Sequence, residues 1–267
     1  MFDLTRLAAV KEQRPLIHCI SNIVTANDCA NLALAVGASP MMAQAAEEMA
    51  EITAISRATV LNTGTPDEER FKICLLCGKE ARRLDQPFVL DPVGVGASSW
   101  RLERTMELLR LYTPAILRVN LGEAQALLQR DKREHGVDSD VPAALAERLD
   151  TAVCLAKRRR TTVLLSGPED IITDGSAAWS VPGGSHWMAR VTGTGCMLSV
   201  LCGVFAAVEP DAVSAAVLAA AFWKVCSRRA EQAAGGRGPG SFRTALLDAA
   251  GMLTTEEFAV EARIEPL

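Results

Sequence analysis

The sequence predicts an α/β fold in which a mainly parallel central sheet is covered by helices on both faces. Short apolar runs alternate with longer stretches of helical periodicity along the chain, the pattern of strand–helix–strand units. Gly, Pro, Asn or Asp bounds the short runs, as it should bound strands. No repeat, low-complexity tract or Pro/Gly/Ser-rich linker divides the chain, so residues 1–267 are expected to form one domain.

The first expected strand is Leu16–Ile20, ended by Ser21 and Asn22 and followed by helices over Asn27–Val36 and Glu47–Arg57. Thr59–Asn62 is the second, closed by Thr63 and Gly64. The helix over Asp67–Leu84 then carries Phe71, Leu75, Cys77 and Ala81 on its apolar side. Phe88–Pro92 is the third strand, because an apolar run stops at Asp91 and proline forbids further regular pairing. A helix over Leu102–Leu111 leads to the strand Ile116–Asn120, and helices over Gly122–Arg130 and Ala143–Arg158 follow. Thr162–Ser166, Ile171–Thr173 and Ala177–Val181 are three closely spaced strands. Helices over Gly195–Val208, Asp211–Ala233 and Ser241–Leu253 fill the last third.

Composition narrows the function. The 267 residues are 49% apolar and 22% charged, ordinary for a globular protein. A chain of this length can bury roughly three quarters of its unfolded surface without disulfide staples. The net charge of −4 and the single tyrosine, Tyr112, argue against a nucleic-acid partner, which calls for basic surfaces or aromatic stacking platforms. Met1 to Arg14 contains no uninterrupted apolar segment, so no signal peptide is expected. No apolar run reaches the roughly 18 residues of a membrane span, so no membrane partner and a cytoplasmic location are expected. The eight cysteines are then expected to be reduced. Cys74 and Cys77 have CxxC spacing but lie in a helical apolar pattern with no second pair, which favours packing over a metal or redox role. Lys157 to Arg160 end a helix, where positive charge complements the dipole.

Parallel α/β sheets bind ligands beyond the carboxyl ends of their strands. The residues there are Ser21-Asn22, Asn62 to Gly64, Asp91 to Gly94, Asn120 to Glu123 and Ser166-Gly167, all small, polar or acidic apart from Leu121 and the Pro92-Val93 pair. A sharper signal is Val191-Thr192-Gly193-Thr194-Gly195-Cys196 directly before an apolar helix. Glycines at a helix start let backbone N–H groups approach an anion. Cys196 is in the first turn, where a thiol pKa is expected to fall. Asp91 can orient a hydroxyl or hold the water shell of a metal. Arg118 offers a planar donor fork for phosphate, and Asn120 and Glu123 offer hard oxygens for Mg²⁺. No G-x-x-x-x-G-K-[ST] or G-x-G-x-x-G motif occurs, which disfavours P-loop kinases and dinucleotide oxidoreductases.

Together these stretches resemble the hydroxyethylthiazole kinase family. The resemblance runs from residues 15–22 and 37–42 through 90–97, 118–123, 166–167 with 174–175, and 191–196, to 238–242. It implies a ribokinase-like fold, a homotrimer, and Mg²⁺- and ATP-dependent phosphorylation of 4-methyl-5-(2-hydroxyethyl)thiazole in thiamine salvage. By motif it implies that Asn22, Met42 and Gly193 contact the thiazole, that Arg118 and Ser166 contact ATP, that Asp91 and Glu123 serve the Mg²⁺–phosphate region, and that Cys196 stands where ribokinase relatives carry a catalytic aspartate. Ser166 replaces a frequent threonine but keeps its hydroxyl, and Ala43 to Glu47 lacks a histidine that some members carry. A ribokinase-like kinase acting on another vitamin-type alcohol, such as hydroxymethylpyrimidine, is the nearest alternative. A cysteine hydrolase pairing Cys196 with His18 or His186 is a more distant one, and a catalytically silent binding protein is another.

Overall fold

The computed structural model describes residues 2–129 and 144–267. Met1, the expected helix end at Arg130 and the expected helix start at Ala143 lie outside the described residues. The described elements, in chain order, are α1 (Arg6–Gln13), β1 (Leu16–Ile20), α2 (Ala26–Val36), β2 (Ser39–Met41), α3 (Met49–Ile55), β3 (Ala58–Asn62), α4 (Glu68–Arg83), β4 (Phe88–Asp91), α5 (Ser99–Leu111), β5 (Ile116–Val119), α6 (Leu121–Leu128), α7 (Leu145–Arg159), β6 (Thr162–Leu165), β7 (Asp170–Thr173), β8 (Ala178–Val181), α8 (Thr194–Ala206), α9 (Ala212–Ala234), α10 (Pro239–Met252), α11 (Thr255–Glu261) and β9 (Glu265–Pro266).

The nine strands pair in the order β2-β1-β3-β4-β5-β6-β7-β8-β9. All pairs from β2 to β6 are parallel, and β7, β8 and β9 are antiparallel additions. Side chains alternate across the sheet with period two. Ile17, Cys19, Val60, Val89, Ile116 and Leu164 join a core with α1, α2 and α8 to α11. Ile20, Leu61, Leu90, Leu117 and Leu165 join a second core with α3 to α7. Both faces are therefore covered, and each fully buried Leu, Ile or Phe contributes about 1.5–3 kcal/mol relative to exposure.

The expected α/β class with a mainly parallel sheet is observed, with several differences of detail. The segment after β1 forms α2 and then the edge strand β2, which the sequence reading missed. Its Pro40 is tolerated because β2 is an edge. The expected helix 47–57 divides into a 3₁₀ turn over Ala46–Glu48 and α3. α1, α11 and β9 are also additional. Cys74 and Cys77 are buried on α4 and remain thiols. Of the Lys157–Arg160 cluster, Arg158 and Arg159 donate to the Leu128 and Leu127 carbonyls at the end of α6, consistent with capping of a helix terminus.

Strand order turns around at β1: β2 lies on one side of it and β3 on the other. The carboxyl ends of β1 and β3 thus border a topological switch point, the usual ligand crevice of such sheets. α8 packs across β3 and β4. Gly203 allows the close approach, since a Cβ there would meet Val60 Cγ2 at 2.5 Å. That packing carries the amino end of α8 to the carboxyl edge of the sheet.

Candidate active site

Register sets the first contact at this edge. Asn62 and Asp91 are partners at the last step of the β3–β4 pairing, and Asn62 Nδ2 donates to Asp91 Oδ2 at 2.8 Å. Asp91 is wholly buried. Its Oδ2 also accepts from the Ser199 hydroxyl of α8 at 2.8 Å, and its Oδ1 lies 3.4 Å from Arg118 Nη1. Arg118 is on β5 and points to the α8 side of the sheet, opposite to Leu117 and Val119. Its Nη2 donates to Ser166 Oγ at 2.6 Å. A buried charge persists only when paired and hydrogen-bonded, and Asp91 with Arg118 satisfies that condition. Burial works against the Arg118 charge, but Asp91, Glu123, Cys196 and Asp170 together more than offset it and raise its pKa. Arg118 Nε is buried and makes no hydrogen bond.

The network continues to β1. Asn62 Oδ1 accepts from Asn22 Nδ2 at 3.0 Å, and the same Asn22 amide donates to Cys196 Sγ at 3.3 Å. Asn22 Oδ1 accepts the N–H groups of Val24 and Thr25 at 3.0 and 3.1 Å, so both ends of this amide are engaged. Burial raises the Cys196 pKa, the nearby Asp91 carboxylate adds to the rise, and the hydrogen bonds of Thr25 and Asn62 and the charge of Arg118 oppose it. The expected fall of this thiol's pKa is therefore reversed. Desolvation and a neighbouring negative charge both disfavour a thiolate.

Gly193 caps α8 with φ +86°, a conformation that glycine adopts at little cost. A Cβ there would meet Thr25 Cγ2 at 2.6 Å. A Cβ on Gly195 would meet Arg118 Nη2 at 2.6 Å, so the guanidinium lies directly against the first turn of α8. Met197 N–H returns to the Gly193 carbonyl, and no side chain caps the helix start. The preceding N–H groups of such a turn are available to an anion, where the dipole also favours negative charge.

Glu123 is held differently. It is the third residue of α6 in a capping box with Asn120. One oxygen accepts from Gly94 N–H at 3.0 Å and the other from Asn120 N–H at 2.9 Å. Burial raises its pKa, Arg118 opposes the rise, and Asp91 adds to it. Glu123 thus feels the Asp91–Arg118 pair without a direct hydrogen bond to it.

Asn22, Asp91, Arg118, Ser166 and Cys196 accordingly form one hydrogen-bonded network, with Asn62 and Ser199 as links. Gly193 adjoins it at the head of α8. Met42 is half-buried against the α2-side core, just beyond β2, and no hydrogen bond ties it to the network. Asn62 stood at a predicted strand end. Ser199 carried only a faint signal, a single hydroxyl four residues past Gly195 in an apolar helix. The two histidines weighed as partners of Cys196 lie elsewhere. His18 is bonded to Thr53 and the Ala43 carbonyl on the opposite face, and His186 is exposed beside Glu231. Neither makes a hydrogen bond to Cys196 among the described residues, which removes the hydrolase alternative.

A family model described as the hydroxyethylthiazole kinase family matches residues 7–256. A hydroxyethylthiazole kinase of Listeria monocytogenes is 42% identical over 265 residues, 99% of this chain and 98% of its own. The structure of a hydroxyethylthiazole kinase protein from Pyrococcus horikoshii superposes with a TM-score of 0.89 at 33% identity, covering 99% of this chain and 98% of that one. A ribokinase-like superfamily protein from Enterococcus faecalis superposes with a TM-score of 0.62 at 14% identity, covering 90% and 88%. That last likeness is one of fold.

Proposed function

This chain belongs to the hydroxyethylthiazole kinase family, and from that premise we propose that it transfers the γ-phosphoryl group of ATP to the hydroxyl of 4-methyl-5-(2-hydroxyethyl)thiazole in thiamine biosynthesis and salvage. The observation that carries this reading is the buried Asn22–Asn62–Asp91–Arg118–Ser166 network at the switch point, with Cys196 and the head of α8 beside it.

Phosphoryl transfer needs positioning and charge stabilisation more than covalent chemistry from the protein. In the proposed arrangement, ATP approaches from the Arg118 and Ser166 side. The first N–H groups of α8 are donors suited to phosphate oxygens, and the Arg118 guanidinium lies directly against that turn. The thiazole lies towards Gly193 and Met42. Asn22, with its amide engaged, forms a wall of that pocket and directs Cys196. The substrate oxygen attacks the γ-phosphorus, the bond to the ADP oxygen breaks, and the thiolate form of Cys196 takes up the hydroxyl proton to become the thiol. With its pKa raised, that thiolate is the minor form at neutral pH, so Cys196 depends on its position beside the hydroxyl.

Asp91 and Glu123 fit a role towards Mg²⁺ through water. Their oxygens already accept hydrogen bonds within the protein, yet a carboxylate retains further lone pairs, and Mg²⁺ usually keeps several waters. When bound, the cation neutralises developing phosphoryl charge.

Under the same proposal residues 1–267 act as one catalytic unit in the cytoplasm and assemble as a homotrimer. Ile23 is 75% exposed and Val24 59% exposed immediately after Asn22, an apolar pair suited to an interface beside the thiazole pocket. The test of the function is transfer of labelled phosphate from ATP to the thiazole alcohol, with and without Mg²⁺, alongside hydroxymethylpyrimidine. Faster transfer to the pyrimidine would favour the alternative acceptor, and a monomeric mass in light scattering with full activity would remove the trimer.

A further inference from the structure

We propose that Lys224 is a positioning residue for the nucleotide side of the site: from the middle of α9 it holds the Ser166–Pro168 turn, and through that turn the Ser166 hydroxyl and Arg118. The inference rests on the reading that Arg118 and Ser166 face ATP.

Lys224 is only 9% exposed on α9, with Ala220 and Ala221 one turn before it and Ser227 and Arg228 one turn after. A methionine or leucine would fill such a place without the cost of desolvating a charge. The reason for a lysine lies at its tip. Nζ donates to the Gly167 carbonyl at 2.8 Å and the Pro168 carbonyl at 3.1 Å, and it lies 3.2 Å from Asp170 Oδ1. An ammonium has three protons, and here it meets three acceptors. Asp170 Oδ1 in turn accepts the Gly167 N–H at 2.8 Å. The Lys224–Asp170 pair therefore grips Gly167 by both its N–H and its carbonyl.

Two close approaches fit this grip. A Cβ on Gly184 would meet Lys224 Cδ at 2.7 Å, so the glycine leaves the passage for the lysine stem. On the other side, the Arg148 guanidinium lies against Gly167 and donates to the Glu169 carbonyl at 2.6 Å. The next residue back along the turn is Ser166, whose Oγ receives Arg118 Nη2. The preceding residue of α9, Trp223, donates to the Thr194 carbonyl at 3.0 Å. Adjacent residues of one buried helix thus hold the phosphate-facing turn of α8 and the nucleotide-facing turn after β6.

A purely structural ion pair is separable from a positioning role. Lys224→Met alone strands the buried Asp170 carboxylate and should lower the melting temperature. Adding Asp170→Asn removes that charge yet keeps an oxygen for the Gly167 N–H, so the melting temperature should return close to that of the parent protein. The positioning role predicts that ATP affinity does not return. In calorimetric titration of the full chain, both variants should bind ATP about tenfold more weakly, the scale of a lost charged hydrogen bond. The KM for ATP should rise in parallel, while the KM for the thiazole alcohol and kcat at saturating ATP change less than about threefold. Parental ATP affinity in the stable double variant would overturn the inference, as would equal changes in both KM values. ATP binding by the parent without transfer to the thiazole alcohol would count against the acceptor assignment while leaving Lys224 testable. Absence of ATP binding in the parent itself would overturn both readings.

Discussion

The two edges of the parallel sheet carry opposite kinds of polar chemistry. At the carboxyl edge, Asn22, Asn62, Asp91 and Arg118 are buried and linked in series. At the amino edge, Arg57, Arg82, Arg110, Lys157 and Arg160 are exposed around an open cavity of about 1780 Å³. Chain direction explains the contrast. Helices connecting parallel strands run back antiparallel to them, so α4, α5 and α7 end at the amino edge and bring Arg82, Arg110 and Lys157 in their last turns. Those cations complement helix carboxyl ends. The positive ends of the helices face the other edge, where an anionic substrate would gain. Cavity size alone is a poor guide to a site, because an open basin of solvated charges lacks convergent polar groups. Under the proposed function, the buried network is the place where displacing an atom by an ångström would change chemistry.

The comparison breaks most sharply at Asp91. Asp91→Ala strands the buried Arg118 charge and unties Asn62 and Ser199. It should cost about 3–5 kcal/mol of stability and lower kcat/KM by more than about 10³-fold, measured by denaturant melts and steady-state rates. A catalytically competent variant of parental stability would mean that the network is ornamental.

Cys196 provides the next test. Cys196→Ala should lower kcat by about 10²–10⁴-fold if its thiolate accepts the proton, and less if the α8 amides carry most of the catalysis. Because the folded site raises this pKa, the neutral thiol is the favoured form at neutral pH. A rate that depends on thiolate must then climb with pH and still be climbing at about pH 9. Cys196→Asp, ionised at neutral pH, should keep activity and flatten that climb. Mass spectrometry during turnover should find no adduct on Cys196, and a covalent intermediate there would refute the positional role.

Gly195→Ala sharpens the picture at a single atom. The new methyl meets a guanidinium fixed at both ends by Asp91 and Ser166, so Arg118 must shift. KM for ATP should rise by about tenfold with thiazole binding preserved. Arg118→Ala should likewise weaken ATP use, and unchanged KM and kcat in that variant would remove Arg118 from the nucleotide side. The smallest effect belongs to the amino edge. Arg57→Ala with Arg160→Ala should alter stability by no more than about 0.5 kcal/mol per site and leave kcat/KM unchanged. A marked loss of activity would give that basin a function.

Much of this arrangement was legible before the fold. Apolar runs closed by polar or acidic residues located β1, β3, β4, β5 and β6, and the glycines before Cys196 marked the head of α8. Two of the missed elements have weak local signals. β2 is three residues with a central proline, and β9 is two residues pairing with β8. α11 could have been found, since Thr254 and Glu257 form a capping box.

Local pattern by itself determined the alternation of strands and helices, the polar strand ends and the glycine-led helix start, because propensity, capping and period act over a few residues. Only the tertiary structure decided that Ser199 bonds Asp91 across 108 positions and that Lys224 reaches Gly167 across 57. It also decided that burial and Asp91 push the Cys196 thiol up, against what a helix terminus alone would do. Desolvation and Coulomb interactions depend on neighbours in space, and those neighbours exist only after the sheet, α8 and α9 have packed.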